Sequence, residues 1–302
     1  MNMNLIGQYT NGNYEVKLYE DGTKIRETED DNFIPEFPEC MDVKITNYCD
    51  MGCKYCHENS TTEGLHGDIM NPEFINTLKP HTELALGGGN PLAHPDIIPF
   101  LEKLKERNLI ANMTVNQYHF EKDIEKIKHI MDNDLIKGLG VSLMNPTESF
   151  LDEISNYPNA VIHVINGILT EDNMKALYKR DLKILILGYK MFRRGNDFYS
   201  QTVEDNKTML YNNLAKLAIN VKVVSFDNLA IKQLEVKRLM PQSTWDEFYM
   251  GDDGRYTMYV DLVEEKFAPN STSVDRWDLF NDIIPMFKYV NDFKDKLEKD
   301  VE

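Results

Sequence analysis

The sequence predicts an α/β protein built as a partial (β/α)6 TIM-like parallel barrel, with an N-terminal β-hairpin and a C-terminal strand, hairpin and helix extension. Short apolar runs alternate with helical patterns along most of the chain, which is typical of repeated βα units. The 302 residues, 42% of them hydrophobic, suffice for one large core. No low-complexity tract or long Gly/Ser linker interrupts this pattern.

Three segments follow from the pattern. In residues 1–40, apolar residues alternate around Asp21-Gly22 from Tyr14 to Glu29, which predicts a hairpin, and Phe33 to Pro38 forms an extended link. Residues 41–217 are the predicted barrel core. Its six strand candidates are Asp42 to Thr46, Glu83 to Gly87, Ile110 to Val115, Gly138 to Leu143, Ala160 to Ile165 and Lys183 to Leu187.

Residues 218–302 are predicted to cover the opening of the barrel. A seventh strand, Val221 to Phe226, follows a helix from Val203 to Leu217. A hairpin closed at Gly251 to Gly254 then leads into Tyr256 to Val263. The last helix is expected from about Trp277 onward.

Composition limits the possible partners. The chain has 33 basic and 50 acidic residues and a net charge of −17, so its averaged field repels polyanions and polymeric nucleic acid is not expected. No stretch approaches the ~18 apolar residues of a membrane span, and the start lacks the basic and apolar regions of a signal peptide. We therefore expect a cytoplasmic protein that does not enter a membrane.

Four cysteines are too few for a disulfide framework, and three of them, Cys49, Cys53 and Cys56, fall within eight positions after the first barrel strand. Soft thiolates favour an iron–sulfur cluster or zinc. Three protein ligands would leave one iron of a cluster open to a substrate or cofactor, which implies chemistry. The alternative is a zinc site completed by His57, but adjacent side chains at positions 56 and 57 would have difficulty reaching one tetrahedral ion.

The spacing Cys49-x3-Cys53-x2-Cys56, with an aromatic ring at Tyr55, resembles the signature loop of the radical S-adenosylmethionine (SAM) superfamily. The resemblance implies a [4Fe-4S] cluster whose open iron is chelated by SAM. In that family, reductive cleavage of SAM yields methionine and a 5'-deoxyadenosyl radical, which removes hydrogen from the substrate. An electron donor such as flavodoxin or ferredoxin is implied as a partner. Cys40 is expected to be a buried thiol, with a role as hydrogen-atom donor as the alternative.

The same resemblance assigns cofactor-binding residues to the tips of later strands. Gly88, Gly89 and Asn90 correspond to the family's Gly-Gly-Glu segment, which receives the SAM amino group, although Asn replaces Glu. Asn116 and Ser142 end the third and fourth strands, where the family contacts ribose or SAM, and Met144 departs from the family's Asp. The further predicted contacts, with Tyr55 beside the cluster, are His163 and Asn166 of the fifth strand. For His163 the alternative is a hydrogen-bonded core histidine.

Polar residues after the sixth and seventh strands are the substrate candidates. Lys190 and Arg194 bring positive charge to the barrel mouth, where they would hold a substrate carboxylate or phosphate or pair with nearby acids. Asp227 would orient substrate or accept a proton, with turn capping as the alternative.

The predicted function is hydrogen abstraction from a small-molecule, nucleotide-like or peptide substrate. The competing prediction is a non-catalytic iron–sulfur or zinc interaction module.

Overall fold

The computed structural model describes residues 4–299, which form one large sheet, one small sheet and the helices that pack against them. The strands are β1 (Leu5–Asn11), β2 (Tyr14–Tyr19), β3 (Lys24–Glu27), β4 (Cys40–Thr46), β5 (Glu83–Gly88), β6 (Ile110–Asn116), β7 (Gly138–Ser142), β8 (Ala160–Ile165), β9 (Lys183–Leu187), β10 (Val223–Phe226), β11 (Thr257–Asp261), β12 (Lys266–Ala268) and β13 (Trp277–Asp278). The α-helices are α1 (Ile97–Glu106), α2 (Gln117–Lys122), α3 (Ile124–Asp132), α4 (Glu148–Ile154), α5 (Glu171–Ala176), α6 (Arg194–Phe198), α7 (Gln201–Ala218), α8 (Asn228–Gln233), α9 (Gln242–Phe248) and α10 (Ile283–Lys299).

The large sheet has ten strands in the order β10-β9-β8-β7-β6-β5-β4-β11-β12-β13. Every neighbouring pair from β10 to β11 is parallel, whereas β12 and β13 pair antiparallel at the end. Six consecutive strands, β4 to β9, lie side by side in chain order, which confirms the predicted parallel barrel of βα units. Within the described residues the sheet remains open, with β10 and β13 at its two ends.

Successive side chains along each strand point alternately into the hydrophobic core and into the cavity. In β4, Met41, Val43 and Ile45 are at most 2% exposed and pack into the helix-side core, together with apolar residues of α1 such as Phe100 and Leu104. The residues between them, Asp42 and Lys44, point to the other face, because successive side chains of a strand project to opposite sides. That second face lines the interior of the barrel.

The small sheet contains the predicted hairpin. β2 and β3 pair antiparallel around Asp21-Gly22, and β1 adds a third strand beside β2. Lys24 of this sheet lies 2.7 Å from Glu83 and 3.1 Å from Glu39, which fixes the small sheet at the N-terminal ends of the barrel strands.

The C-terminal region departs from the sequence prediction in two respects. No strand precedes Gly251 to Gly254, because the chain there leaves α9, so the predicted hairpin is wrong; β11 instead pairs in parallel with β4 and forms its hairpin with β12. The last helix begins at Ile283 and not near Trp277, because Trp277 pairs with β12 as part of β13. Asp282 accepts a hydrogen bond from the Ile284 amide, and Pro285 lies in the first turn, both of which favour a helix start at this point.

Among the described helices, none has the length and apolarity that crossing a bilayer requires.

Candidate active site in the barrel

A cavity of about 480 Å³ opens at the C-terminal ends of the parallel strands, a volume typical of small-molecule sites. It collects side chains from most of the barrel strands and from the loops that follow them. The predicted residues that line it are Cys49, Cys53, Tyr55, Cys56, Gly88, Gly89, Asn116, Ser142, His163, Lys190 and Asp227. Sequence positions almost 180 residues apart therefore meet in one space.

The cysteines lie in a long loop that begins where β4 ends. Bridges pair Thr46 with His66 and Tyr48 with Thr61, so the base of the loop is held as a short ribbon. The Cys49 amide donates to the Thr61 carbonyl at 2.8 Å. Gly52 turns the chain between the first two cysteines with φ +64°, a value that disfavours residues with a Cβ.

The glycine segment at the end of β5 is bonded directly to this loop. The Gly89 amide donates to the Thr46 carbonyl at 2.8 Å, and the Asn90 amide donates to the Tyr48 carbonyl at 2.7 Å. A Cβ on Gly89 would lie 2.1 Å from the Tyr48 carbonyl oxygen, whereas a Cβ on Gly87 would meet nothing within 4 Å. The side-chain direction of Gly87 therefore faces open space, whereas a Cβ on Gly88 would lie 2.3 Å from the Thr46 carbonyl oxygen. Both glycines line the cavity.

Burial and mutual repulsion disfavour ionised thiols in the cysteine loop. Burial raises the pKa of Cys49, and burial together with the neighbouring Cys56 and Cys49 raises the pKa of Cys53 to about 11. Arg194 opposes both shifts. Tyr55 packs its ring 5.7 Å from that of Phe198, and burial followed by the charge of Cys53 raises its pKa to about 12. A bound cation that neutralises the thiolates would relieve this repulsion.

The donors do not suit a zinc site completed by His57. The Nε2 atom of His57 lies 3.2 Å from Oε1 of Glu58 and 3.2 Å from Nζ of Lys190, so this nitrogen already has two polar partners. Zinc–sulfur bonds of about 2.3 Å would bring thiolates to within about 4 Å of one another. Among the described residues, the three thiols do not all lie within 4.8 Å of one another. That wider separation suits a cluster with several metal ions.

The predicted strand-tip residues differ in their surroundings. Asn116 lines the cavity and also caps α2 by accepting from the Tyr118 amide at 2.9 Å. His163 projects toward Gly140, where an added Cβ would lie 2.4 Å from its ring. Burial lowers the pKa of His163 to about 4, so the ring is neutral at pH 7.

Three predicted residues lie off the cavity wall. The Asn90 side chain accepts from the Leu92 amide at 3.2 Å and is turned away from the cavity. Asn166 is fully buried and donates to Oε1 of Gln233 at 3.0 Å, because it comes one residue after the wall residue Ile165. Arg194 donates to the Ser60 carbonyl and so braces the cysteine loop from outside.

The remaining two candidates, Lys190 and Asp227, line the cavity, and both already have hydrogen-bond partners within the protein. Lys190 donates to Oγ of Ser271 at 2.9 Å and approaches His57. Oδ1 of Asp227 accepts from the amides of Ala230 and Gly188 at 2.7 and 2.9 Å, so this residue caps α8 as well as lining the wall. Burial raises its pKa despite those two hydrogen bonds.

Sequence reasoning missed a charged group at the inner end of the cavity. Lys44 is 1% exposed and lies 3.1 Å from Oδ2 of Asp261 and 3.3 Å from Oε2 of Glu58. Burial raises the pKa of Glu58, but the His57 hydrogen bond and the lysines overcome this effect and hold it at about 2. The detectable signal was a pair of charged residues, Asp42 and Lys44, at alternate positions of an apolar strand. Further wall residues missed from the sequence are Tyr259 and Ser271.

Comparison with known proteins identifies this arrangement. Residues 43–170, from β4 to the residue before α5, match the family model described as the radical SAM superfamily. The chain carries a radical SAM domain. The cysteine loop, the glycine segment and the tips of β6 to β8 all fall inside this domain, and the superfamily implies an iron–sulfur cluster and SAM.

Curated relatives of the radical SAM domain are distant. A protein of Methanocaldococcus jannaschii named Probable GTP 3',8-cyclase is 29% identical over 133 residues, which cover 42% of this chain and 43% of that protein. The chain thus spans less than half the length of this relative. An uncharacterized protein of the same organism is 23% identical over 268 residues, covering 84% of this chain and 82% of that protein.

Solved structures share the fold over a longer stretch. Streptococcus suis SuiB bound to its precursor peptide SuiA superimposes with a TM-score of 0.61 at 14% identity, covering 84% of this chain and 65% of that chain. SuiB bound to S-adenosylmethionine gives a TM-score of 0.56 at 13% identity, covering 81% of this chain and 64% of that chain. At such identity the likeness concerns the fold alone.

The residues present fit the groups that the superfamily implies. Three thiols at the mouth of one cavity offer soft ligands, and the open space beside Gly87 is a cradle that a Cβ would fill.

Proposed function

We propose that this chain is a radical SAM enzyme that binds a [4Fe-4S] cluster through Cys49, Cys53 and Cys56 and cleaves SAM reductively. The observation that carries the proposal is that all three cysteines and the bare glycine edge line the same cavity. When bound there, the cluster and SAM would supply a 5'-deoxyadenosyl radical that abstracts hydrogen from a substrate in the barrel. An electron donor such as flavodoxin or ferredoxin would complete the system.

The strand tips would orient SAM through groups that need no charge. Gly88 and Gly89 offer backbone atoms at the place that the resemblance assigns to the amino group. Asn116 and Ser142 offer an amide and a hydroxyl on the adjacent wall, and His163 offers a neutral imidazole. Asn90 and Asn166, turned away from the wall, would support the backbone of these tips through their bonds to Leu92 and Gln233.

The lower wall would protect a reactive species from water. Ile165, Leu185 and Leu187 line the cavity on the side of β8 and β9, and Leu143 and Met144 border it above β7. Apolar side chains exclude water and other polar reactants from the space in which an intermediate would form. A shielded cavity suits hydrogen abstraction from an unactivated carbon better than electron storage.

The substrate is proposed only as a class: a small molecule, a nucleotide-like compound or a peptide. The relatives named as GTP cyclases keep the nucleotide option open, and the peptide complex of SuiB keeps the peptide option open. Asp227 would orient the substrate through its second carboxylate oxygen, since Oδ1 already accepts two amides.

The first experiment compares Cys53→Ala with Cys40→Ala. Each protein is reconstituted anaerobically with iron and sulfide, mixed with SAM and dithionite, and assayed for 5'-deoxyadenosine. Cys40 begins the same β4 strand but lies off the cavity, so its variant controls for the loss of a thiol. We expect product from wild type and Cys40→Ala and only background from Cys53→Ala. A fully loaded wild-type cluster that yields no product would contradict the proposal.

A second candidate, a non-catalytic metal module, is favoured by a different group of atoms. One ligand atom each of Cys49, Asp50 and His119 lies within 4.8 Å of the others, close enough to surround a single ion. Metal analysis of protein prepared without oxygen separates the candidates: about four irons per chain supports the cluster, and one zinc that is lost in His119→Ala supports the module.

A further inference from the structure

The inner end of the cavity contains a carboxylate that no protein group satisfies. Asp42 lies on the inward face of β4 and lines the cavity, and its exposed surface belongs to the barrel interior. Among the residues that the structure describes, none donates a hydrogen bond or forms an ion pair to this carboxylate. A carboxylate that faces a cavity and has no protein partner is a candidate for ligand binding.

The cations around Asp42 are already engaged. Lys44 is held by Asp261 and Glu58, and Lys190 is held by Ser271 and His57. Asp227, Asp253 and Glu58 add negative charge near Asp42, and Lys190 acts in the opposite sense. The charge left free at this end of the cavity is therefore negative, contrary to the positive mouth that Lys190 and Arg194 suggested.

Asp42 is separate from the glycine edge. It pairs in register with Ala85, whereas Thr46 pairs with Gly88 at the strand ends. At about 3.3 Å per residue, Asp42 lies about 13 Å below the end of β4, where the cysteine loop begins. A group bound at Asp42 would therefore sit beneath a cofactor held at the strand tips.

Apolar residues also line the cavity that Asp42 faces. The neighbours of Asp42 in the sheet are Ala85 of β5, which has a small side chain, and Tyr259 of β11, which also lines the cavity. Leu185 and Leu187 of β9 and Ile165 of β8 line other parts of the same cavity. A ligand that suits this surface combines a hydrocarbon stem with a cationic head. The stem would cover the leucines, and the head would donate to the carboxylate.

We propose that the inner end of the cavity is a substrate subsite for a protonated amine on an apolar stem, with Asp42 as the anion that binds it. The subsite rests on the proposed function, because it is the barrel interior beneath SAM that would receive the substrate. Ammonium–carboxylate hydrogen bonds are about twice as strong as neutral ones. The amine would also neutralise a carboxylate whose pKa burial raises to about 6.

The test uses three probes with one five-carbon stem: n-pentylammonium, n-pentanol and pentanoate. Their binding to the anaerobically reconstituted full chain is measured by calorimetry at pH 7.5, with and without SAM. We expect n-pentylammonium to bind at least about tenfold more tightly than n-pentanol, and pentanoate to bind most weakly. Asp42→Asn should abolish the preference for the amine, whereas Asp132→Asn, on the exposed end of α3, should retain it.

Three results would overturn the subsite: equal affinity of wild type for all three probes, an unchanged preference in Asp42→Asn, or displacement of the amine by SAM. The last result would assign Asp42 to the cofactor. The comparison among probes in wild type needs no variant, so misfolding cannot obscure it. Assaying the same samples for 5'-deoxyadenosine distinguishes the two proposals. Selective binding of the amine without SAM cleavage would contradict only the proposed radical chemistry. SAM cleavage without selective amine binding would contradict only the proposed subsite.

Discussion

The two ends of the cavity are built from different kinds of chemical groups. At the mouth, thiols and bare backbone of the cysteine loop and the glycine segment are held by main-chain hydrogen bonds such as Gly89 to Thr46. At the inner end, Lys44 of β4 is paired with Asp261 and Glu58, whereas Asp42 of the same strand faces the cavity without a partner among the described residues. This difference agrees with the proposal that the mouth binds the cofactor and that the inner end binds the substrate.

Removing a lysine at the inner end should lower the stability of the fold far more than removing a lysine at the surface. Lys44→Met would remove the lysine that Asp261 and Glu58 share, although Arg276 stays 3.5 Å from Asp261 and His57 stays 3.2 Å from Glu58. We therefore expect the free energy of unfolding to fall by about 3 kcal/mol, the lower end of the range for breaking a buried pair. The measurement is urea unfolding at pH 7. Lys128→Met is the control, because its partner Glu125 is exposed and such pairs contribute about 0.5 kcal/mol or less. Equal losses in the two variants would mean that the inner network adds nothing.

At the mouth, SAM binding should depend mainly on the open space beside Gly87. Gly87→Ala adds a methyl group that meets no protein atom within 4 Å, so we expect normal thermal stability but about tenfold weaker SAM binding, measured by calorimetry. Gly89→Ala places its methyl 2.1 Å from the Tyr48 carbonyl oxygen and should instead lower the melting temperature. Unchanged SAM affinity in Gly87→Ala would remove the glycine edge from the cofactor site.

Some of the elements on which these expectations depend can be predicted from the sequence, and others cannot. The six core strands and the cysteine loop were predicted because alternation, helix periodicity and cysteine spacing are local signals. The pairing of β11 with β4 joins residues more than 200 positions apart and leaves no local trace, so Tyr259 was not recognised as a wall residue.

The second limit on prediction from the sequence was the direction in which side chains point. Asn166 follows Ile165 and falls on the opposite side of the wall, and the loop that contains Arg194 bends toward Ser60, which no periodicity predicts. Asp42 was visible as a charge within an apolar strand, yet its lack of a partner could be established only from the packed structure. Composition suggested an acidic surface and gave no indication of an acidic interior.

A pH dependence should distinguish the free carboxylate from the paired ones. Burial raises the pKa of Asp42 from 3.8 to about 6, with Asp253, Asp227 and Glu58 adding to the shift and Lys190 opposing it. A raised carboxyl pKa destabilises the fold when the group is ionised, so the penalty is full above about pH 6 and vanishes below the unfolded value. Asp42→Asn should therefore raise the melting temperature at pH 7.5 and have little effect at pH 3.5.

Scanning calorimetry at the two pH values checks this difference, with Asp132→Asn as the exposed control. A variant that melts below wild type at pH 7.5 would show that Asp42 has a structural partner.

The smallest effect is expected at Tyr55. Among residues 4–299, its hydroxyl has one hydrogen-bond partner, the Met144 sulfur at 3.8 Å, and its ring packs near Phe198. Tyr55→Phe should leave SAM affinity within about twofold, because the ring is retained and a weak sulfur hydrogen bond is lost. Calorimetric titration with SAM gives the comparison, and a loss as large as that of Gly87→Ala would mean that the hydroxyl binds the cofactor.

The pairing of β11 with β4 also affects how the chain acquires its fold. Strand β4 leads into the cysteine loop. One of its edges can pair with β5 early in synthesis, but its other edge stays unpaired until residues 257–261 have been made. Contacts of such long sequence separation form slowly, and an open strand edge is prone to pair with other chains. On the ribosome, the cysteine loop therefore emerges about 200 residues before β11 can enclose its strand, so protection of this strand from aggregation depends on a segment that is made much later.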